Sequence, residues 1–220
     1  MKIALIGRGK MGRVVERQAA MRGDEVVACF DRQNPLHMRS EEVWEVDVYI
    51  DFTQPSAVLD NLKVLAQYRK PVVIGTTGWD VGQAERYAGE IGILYAPNFS
   101  LGMFLFAQLL KKAHALFSPY YDLSGIEIHH KEKKDTLSGS AIHLSRQVAG
   151  LKFQSLRVGS EVGTHQIVFD APAERIELKH RAKNREGFAK GALEAAQWLI
   201  GRVGLYTFED VVKEMTGCIE

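Results

Sequence analysis

Short apolar runs alternate with amphipathic segments along the first hundred residues, and this alternation restricts the possible folds strongly. A continuous apolar run indicates a strand buried on both faces, whereas an apolar residue at every third or fourth position indicates a helix. Strands that alternate with helices are typical of a doubly wound, Rossmann-like parallel sheet. We predict strands at residues 3–6, 25–30, 46–52, 71–74 and 91–95, and helices at 12–22, 56–68 and 81–89.

The pattern changes after Ser100, where an α+β arrangement with a mixed or antiparallel sheet is predicted. We therefore expect two domains, one formed by residues 1–100 with 186–220 and the other by 101–185. Thr207 is predicted to cap the last helix. In this part the predicted helices are 101–117, 139–148, 188–200 and 207–215, and the predicted strands are 121–130, 155–158, 165–169 and 175–180.

Composition argues against several classes of function. The net charge of +1 shows no global bias toward nucleic acid or membrane partners, and no segment approaches the roughly 20 apolar residues that span a bilayer. Cys29 and Cys218 lack C-x-x-C spacing, so we expect neither a disulfide framework nor a zinc site. The apolar run that follows Met1 and Lys2 is too short for a signal-peptide core. We therefore expect a cytoplasmic protein.

The turn after the first predicted strand, GRGKMG at residues 7–12, has the G-x-G-x-x-G spacing of dinucleotide sites. Glycines let the backbone approach a pyrophosphate, and the N-terminus of the following helix offers free N–H groups. Asp31 ends the second strand where an acidic residue binds a ribose 2′-hydroxyl, while the adjacent Arg32 can pair with a 2′-phosphate. We predict NADH and/or NADPH as the cofactor, with use of both or a preference for NADH. A glycine-rich turn without a ligand is the alternative.

Three other predicted strand ends are polar, at residues 51–53, 75–78 and 97–100. Ligands of open α/β sheets bind beyond the carboxyl ends of the strands, so these segments are predicted to line the nicotinamide and its ribose. The same residue types also occur in ordinary turns. The predicted cofactor-binding residues are Gly7, Gly9, Lys10, Met11, Gly12, Asp31, Arg32, Phe52, Thr53, Gly75, Thr76, Thr77, Pro97, Asn98 and Phe99.

Residues 127–141, with the sequence EIHHKEKKDTLSGSA, concentrate groups that can hold and protonate a small molecule that carries carboxylates. His129 and His130 are adjacent on a predicted strand, so their side chains point to opposite faces. Lys131, Lys133 and Lys134 follow, and Ser138-Gly139-Ser140 then starts a helix whose N–H groups favour an anion. A packed histidine and a solvated basic loop are the alternatives.

Two other chemistries fit this segment poorly. His129, His130, Asp135 and His143 are conceivable metal ligands, but they lack H-x-x-x-H or H-E-x-x-H spacing, and we expect no metal. Ser138 lacks the G-x-S-x-G context of a nucleophile.

Residues 127–141 resemble, without a gap, the E-x-H-H-x-x-K-x-D-A-P-S-G-T-A block of the dihydrodipicolinate reductase family, which acts in bacterial lysine and diaminopimelate synthesis. Thr136-Leu137 stands in place of the family's Ala-Pro, which we expect to loosen the loop, while Ser140 in place of threonine keeps the hydroxyl. Other family-like pieces are residues 50–53, 74–78, 96–100, 157–159, 163–165 and 175–180, with Phe188, Gly191 and Trp198.

The resemblance implies an oxidoreductase that reduces 4-hydroxy-tetrahydrodipicolinate, via dihydrodipicolinate, to tetrahydrodipicolinate. Hydride from NAD(P)H would reach C4 of the cyclic imine of this small dicarboxylate. Lys133 would be the proton source and His129 an acid or electrostatic partner. The resemblance also implies a dinucleotide domain, a substrate-binding and tetramerisation domain, and a homotetramer. The substrate-binding residues that it implies are His130, Ser138, Gly139 and Ser140.

Two other functions are compatible with parts of this sequence. A relative of aspartate or homoserine dehydrogenase would share the dinucleotide turn but would lack the His-His-x-x-Lys and Ser-Gly-Ser pieces. A nicotinamide-sensing regulator would need a DNA-binding element, and the sequence shows no basic recognition helix. Activity on a cyclic imine separates both from a reductase.

Overall fold

The computed structural model describes residues 1–37, 45–133 and 136–217. The chain divides into two units, one formed by Met1–Phe99 with Phe188–Glu220 and the other by Ser100–Gly187. The sequence-based expectations for Lys134, Asp135 and Cys218 lie outside the described residues.

The first unit is built on a parallel sheet of six strands in the order β10-β5-β4-β3-β1-β2, and helices follow β1, β3 and β4 along the chain. Its strands are β1 (Lys2–Ile6), β2 (Glu25–Phe30), β3 (Val48–Asp51), β4 (Val72–Ile74), β5 (Gly92–Tyr95) and β10 (Gly204–Thr207). Its helices are α1 (Lys10–Arg22), α2 (Pro55–Gln67), the 3₁₀ helix Val81–Arg86, most of α5 (Glu186–Leu199), and α6 (Phe208–Thr216).

Strand order reverses beside β1, which lies between β2 and β3. The chain therefore leaves β1 toward one side of the sheet and later continues on the other, and this creates a crevice at the carboxyl ends of the three strands. The β1–α1 turn lies at this crevice. Gly7 in that turn has a φ of +94°, and a Cβ there would lie 2.4 Å from the carbonyl oxygen of Phe52. Only glycine fits this position without displacing the backbone.

The second unit packs two helices on one face of a four-stranded sheet in the order β7-β6-β8-β9. β6 and β7 are parallel, whereas β8 is antiparallel to both β6 and β9, so the sheet is mixed. The predicted fold class, a doubly wound parallel sheet with a second α+β part, is confirmed. The elements of this unit are α3 (Leu101–Phe117), β6 (Asp122–His129), α4 (Gly139–Gln147), β7 (Phe153–Arg157), β8 (Gly163–Asp170) and β9 (Arg175–Ala182).

Two elements differ from the sequence-based prediction. The segment predicted as a helix at 81–89 is a 3₁₀ helix, Val81–Arg86, whose first turn is capped by the Asp80 side chain. β10 was not predicted, yet it pairs with β5 at the edge of the parallel sheet. Thr207 is the N-cap residue of α6, as predicted, and its N–H and hydroxyl groups both donate to the Asp210 carboxylate. Within the described ranges, the helices are too short or too polar to cross a bilayer.

Candidate active site

A cavity of about 580 Å³ opens at the carboxyl ends of β1, β2 and β3 in the first unit. A second cavity of about 370 Å³ lies along the start of α1 and the ends of β3 and β4. Most of the predicted cofactor-binding residues meet here. Those that line one or both cavities are Gly7, Gly9, Lys10, Met11, Asp31, Arg32, Phe52, Thr53, Gly75, Thr76 and Thr77.

The remaining predicted cofactor residues are not among those lining the two cavities. Gly12 is buried, and a Cβ there would lie 2.1 Å from the carbonyl oxygen of Gly7. It therefore lets α1 start directly against the turn. The Phe99 ring is buried and packs edge to face on Phe52 and Phe208. Pro97 and Asn98 also lie outside both linings.

The two residues expected to select the cofactor stand side by side in the larger cavity. Hydrogen bonds from the backbone N–H groups of Asn34 and Gln33 hold the pKa of Asp31 below its usual range, so this exposed carboxylate is charged at neutral pH. The Arg32 guanidinium donates to the side-chain oxygen of Gln54 at 2.7 Å. An anionic acceptor for a ribose hydroxyl and a cation for a 2′-phosphate are thus both present.

Asp51 organises the strand ends at the cavities, a role that the sequence did not reveal. Its carboxylate is 1% exposed, and one oxygen accepts hydrogen bonds from the N–H and hydroxyl of Thr53 and from the hydroxyl of Thr76. The other oxygen accepts from the side-chain amide of Asn61 at 2.9 Å. The carboxylate therefore ties the ends of β3 and β4 to α2. An aspartate that ends an apolar strand two residues before a threonine was the available signal.

In the second unit, a row of polar side chains crosses the mixed sheet. Ser155 on β7 lies opposite Glu127 on β6, which lies opposite His165 on β8, which lies opposite His180 on β9. The next pairs on the same face hold apolar groups such as Ile167 opposite Leu178. The row thus marks the border between the core of this unit and its polar end.

The Glu127 carboxylate is fully buried and accepts several hydrogen bonds. The backbone N–H of Ser138 lies 3.2 and 3.1 Å from its two oxygens, the Ser155 hydroxyl lies 2.5 Å from Oε1, and Arg157 Nη2 lies 3.2 Å from Oε1. Burial alone would raise the pKa of Glu127, but the hydrogen bonds from Ser138 and Ser155 outweigh it and hold the pKa below its usual range. The carboxylate is therefore charged at neutral pH.

Two histidines contact this carboxylate at longer range. Nδ1 of His129 lies 3.6 Å from Oε2 of Glu127, and Nε2 of His165 lies 3.7 Å from the same oxygen. Burial lowers the pKa of His129; Glu127 opposes this shift, whereas Lys133 and Arg157 add to it. Burial, with help from His129, lowers the pKa of His165 to about 4. Both imidazoles are therefore neutral at neutral pH.

The predicted substrate-binding residues start where β6 ends. His130 directly follows that strand, and its carbonyl accepts a hydrogen bond from the N–H of Lys133 in the next turn. Ser138 is buried, and its hydroxyl accepts from the N–H of Ala141 and lies 3.0 Å from Nε2 of His165. The polar groups of Ser138 thus fix the start of α4. Gly139 and Ser140 form the first turn of that helix.

The cluster of Glu127, His129 and His165 has three potential metal-ligand atoms within 4.8 Å of one another. Both carboxylate oxygens already accept hydrogen bonds, and the guanidinium of Arg157 lies beside one of them. These contacts favour a hydrogen-bond network over a cation site. Among the candidate ligands from the sequence, His143 pairs instead with Gln147 on α4.

Comparison with known proteins identifies the family. Residues 1–99 match the family model described as dihydrodipicolinate reductase, N-terminus, and residues 102–212 match the one described as its C-terminus. The chain belongs to the dihydrodipicolinate reductase family. The family and the oxidoreductase class inferred from the sequence are thereby confirmed, and NAD(P)H is the cofactor of this reductase.

Individual relatives in the family resemble the whole chain. The 4-hydroxy-tetrahydrodipicolinate reductase of Zymomonas mobilis is 35% identical over 246 aligned positions that cover 96% of this chain and 97% of the relative. The enzyme of the same name from Christiangramia forsetii is 34% identical, with coverage of 98% and 99%. The fold resembles that of a dipicolinate-bound dihydrodipicolinate reductase from a Paenisporosarcina species, with a TM-score of 0.75, 24% identity and coverage of 94% and 97%.

This member of the dihydrodipicolinate reductase family anchors the loop before α4 at Thr136, where the sequence departs from the family block. The Thr136 carbonyl oxygen lies 2.6 Å from the Ser155 hydroxyl and 3.1 Å from Nη2 of Arg157. The same two side chains contact the Glu127 carboxylate. A hydroxyl has one hydrogen, so Ser155 donates to one of these oxygens at a time, whereas Nη2 of Arg157 can donate to both. These contacts with β7 therefore hold this end of the loop in the absence of the proline.

Proposed function

We propose that the protein catalyses the NAD(P)H-dependent reduction of 4-hydroxy-tetrahydrodipicolinate, via dihydrodipicolinate, to tetrahydrodipicolinate, and that it does so in the cytoplasm. The observation that carries this proposal is the ungapped 127–141 sequence block, whose described residues lie at the polar end of the mixed sheet, in a chain that matches the family over both halves. The first unit would bind the dinucleotide and the second unit the substrate.

The glycines of the first unit leave the space that a dinucleotide needs. A Cβ at Gly9 would have no heavy atom within 4 Å, so the glycine leaves open space at the start of α1. The N–H groups there would hold the pyrophosphate, and Asp31 or Arg32 the adenosine ribose. When bound, the cofactor supplies a hydride. At the end of the site assigned to the nicotinamide, Gly75 leaves room for the Phe52 ring, because a Cβ there would lie 2.1 Å from the ring and displace it.

The second unit would bind the substrate carboxylates and supply the proton. His130, Gly139 and Ser140 would hold the carboxylates, because the start of a helix offers N–H groups and a partial positive charge. Ser138 would contribute by fixing that helix start, since its own polar groups contact Glu127, His165 and Ala141.

Proton transfer is assigned to Lys133. Hydride addition at C4 leaves an enamine, whose adjacent carbon then takes a proton from the Lys133 ammonium group. His129 would act as a neutral hydrogen-bonding and orienting group, because its lowered pKa leaves it without a spare proton at neutral pH.

Cofactor preference follows from the residue pair in the larger cavity. We expect use of both cofactors or a preference for NADH, because Asp31 is charged and Arg32 is held by Gln54. Fluorescence titration with NADH and NADPH tests this. Tighter binding of NADPH by more than about tenfold, or about 1.4 kcal/mol, would contradict the expectation. Arg32→Ala should weaken NADPH binding and leave NADH binding unchanged.

A homotetramer is proposed, assembled through the face of the mixed sheet that carries Ile126, Ile128 and Leu156. Ile128 and Leu156 are opposite each other on neighbouring strands, and Leu156 is 53% exposed. Apolar groups exposed on one sheet face are typical of subunit contacts. Light scattering after size-exclusion chromatography tests this, and Leu156→Lys should shift the mass toward smaller species. A monomeric wild-type protein would contradict the proposal.

The deciding experiment follows NADH and NADPH oxidation while the preceding synthase generates the substrate from pyruvate and aspartate semialdehyde. Turnover that pyridine-2,6-dicarboxylate inhibits is the expected result. Nucleotide binding without turnover of the cyclic substrate would refute the proposed reaction and favour a sensing role. Oxidation of aspartate or homoserine would instead identify another dehydrogenase.

A further inference from the structure

Glu127 takes no part in the hydride or proton transfer described above, yet its buried carboxylate contacts three other segments of the second unit. These contacts involve Ser138 before α4, Ser155 and Arg157 on β7, and His165 on β8. A fully buried carboxylate needs such partners, because removal from water is costly for an unpaired charge. The number of partners satisfies the charge but does not by itself explain why a carboxylate is placed there.

We propose that Glu127 is a positioning residue that fixes the start of α4, where the substrate carboxylates bind, and the imidazole of His129. This inference rests on the proposed reductase function and deepens it. Glu127 acts through these neighbours and does not touch the substrate.

The first part of the proposal follows from the contacts of Ser138. The first N–H groups of a helix have no partner within the helix, and the residue before α4 donates its N–H to both oxygens of Glu127. The Ser138 hydroxyl then caps the N–H of Ala141 and contacts Nε2 of His165, whose ring lies beside the same carboxylate. The loop is thus held to β6 and β8 immediately before Gly139 and Ser140, the residues assigned to the substrate carboxylates.

The second part follows from the charges around His129. Lys133, Arg157 and His130 favour the neutral form of this imidazole, and Glu127 is the anionic group that opposes them. Nδ1 of His129 lies 3.6 Å from Glu127 Oε2, so the carboxylate lies beside the ring without a direct hydrogen bond and favours its protonated form. Without the carboxylate, the ring would lose this contact and the anionic group that opposes Lys133, Arg157 and His130. Glu161 and His165 also interact electrostatically with His129, and both would remain.

Glu127→Gln tests the proposal, because glutamine has almost the same shape but no charge. We expect the KM for the cyclic substrate to rise, kcat to fall, and the affinity for pyridine-2,6-dicarboxylate to drop by about tenfold or more. The affinity for NADH should stay unchanged, because the dinucleotide cavity belongs to the first unit. The midpoint of any change in rate caused by titration of His129 should move to lower pH in the pH–rate profile.

Asp170→Asn is the matched control. Asp170 also pairs with an arginine, Arg175, but it lies at the opposite end of β8 from His165. This variant should keep the wild-type KM, inhibitor affinity and pH profile.

The outcomes separate this proposal from the proposed function. Absence of turnover in the wild-type protein would refute the reductase function itself. Normal wild-type turnover with unchanged inhibitor affinity and pH profile in Glu127→Gln would overturn the positioning role alone. If Glu127→Gln does not fold, Ser155→Ala decides, because it removes the hydroxyl that contacts Glu127 and Thr136 and keeps the carboxylate. A several-fold loss of inhibitor affinity supports the proposal, and wild-type affinity overturns it.

Discussion

Buried His165 should make the protein sensitive to mild acid. Its ring is 3% exposed, its Nε2 contacts the Ser138 hydroxyl, and its Nδ1 is buried without a hydrogen-bond partner in the described part of the chain. Burial and the neighbouring His129 lower its pKa from 6.5 to about 4. The folded protein therefore takes up this proton at a lower pH than the unfolded chain does.

The sign and the size of the effect follow from linkage. Because the folded pKa is depressed, the stability contribution is complete above pH 6.5, declines as the pH falls toward 4, and is fully lost below that value. At about pH 5 the unfolded imidazole is almost fully protonated, whereas the folded one is about one-tenth protonated. The free energy of unfolding should therefore drop by about 2 kcal/mol between about pH 8 and about pH 5 through His165 alone.

Urea unfolding of the wild-type protein and His165→Gln across this pH range measures the effect. Glutamine keeps a polar group near Ser138 but does not titrate, so the difference between the two proteins isolates the histidine. We expect this difference to change by about 2 kcal/mol, with the wild-type protein losing more stability in acid. The exposed His37, replaced in His37→Gln, is the control and should behave as the wild type does. A difference between wild type and His165→Gln that stays flat with pH would refute the reasoning.

Two further substitution pairs test the candidate sites. Gly12→Ala would place a Cβ 2.1 Å from the Gly7 carbonyl oxygen and should lower the unfolding free energy by about 2–3 kcal/mol. A Cβ at Gly9 has open space, so Gly9→Ala should stay folded. It should bind NADH at least about tenfold more weakly, because the added methyl group occupies the space left for the pyrophosphate. Urea unfolding and NADH fluorescence measure both, and normal NADH binding by Gly9→Ala would contradict the assignment. Lys133→Ala should lower kcat by about a hundredfold or more with little change in NADH affinity, and the exposed Lys131→Ala should leave both unchanged. Equal losses of kcat and NADH affinity in Lys133→Ala would contradict the proton-donor role.

The parallel sheet was predictable because β1, β3 and β4 are buried on both faces and therefore read as continuous apolar runs. β10 escaped prediction for the opposite reason. Its four residues are half-buried or exposed and include a glycine, so its side chains carry no clear pattern. Backbone pairing with β5, which does not depend on side-chain type, makes it a strand.

The site residues also include some that the sequence predicts and others that it does not. The glycine turn was predictable because its backbone conformation and its close contacts allow only one residue type at Gly7 and Gly12. The position of Asp51 at a strand end was visible in the sequence, but the partners of Asp51 and Glu127 were not predictable, since a buried carboxylate acquires its function from distant residues. Asn61 on α2 and Ser155 on β7 illustrate this, because they meet these carboxylates only after the strands and helices assemble.

The polar row across the mixed sheet also restricts how β6 and β8 can align. Shifting one strand by a single residue would turn His165 to the opposite face of the sheet and bring Gln166 or Thr164 beside the Glu127 position. The Glu127 carboxylate would then lose the His165 imidazole, and the Ser138 hydroxyl would lose its contact with Nε2 of that ring. Misaligned pairings would therefore lose a polar contact at a buried charge, a loss that a purely apolar sheet face does not impose. The cluster to which we assign the positioning of substrate-binding groups thus also favours one strand alignment during folding.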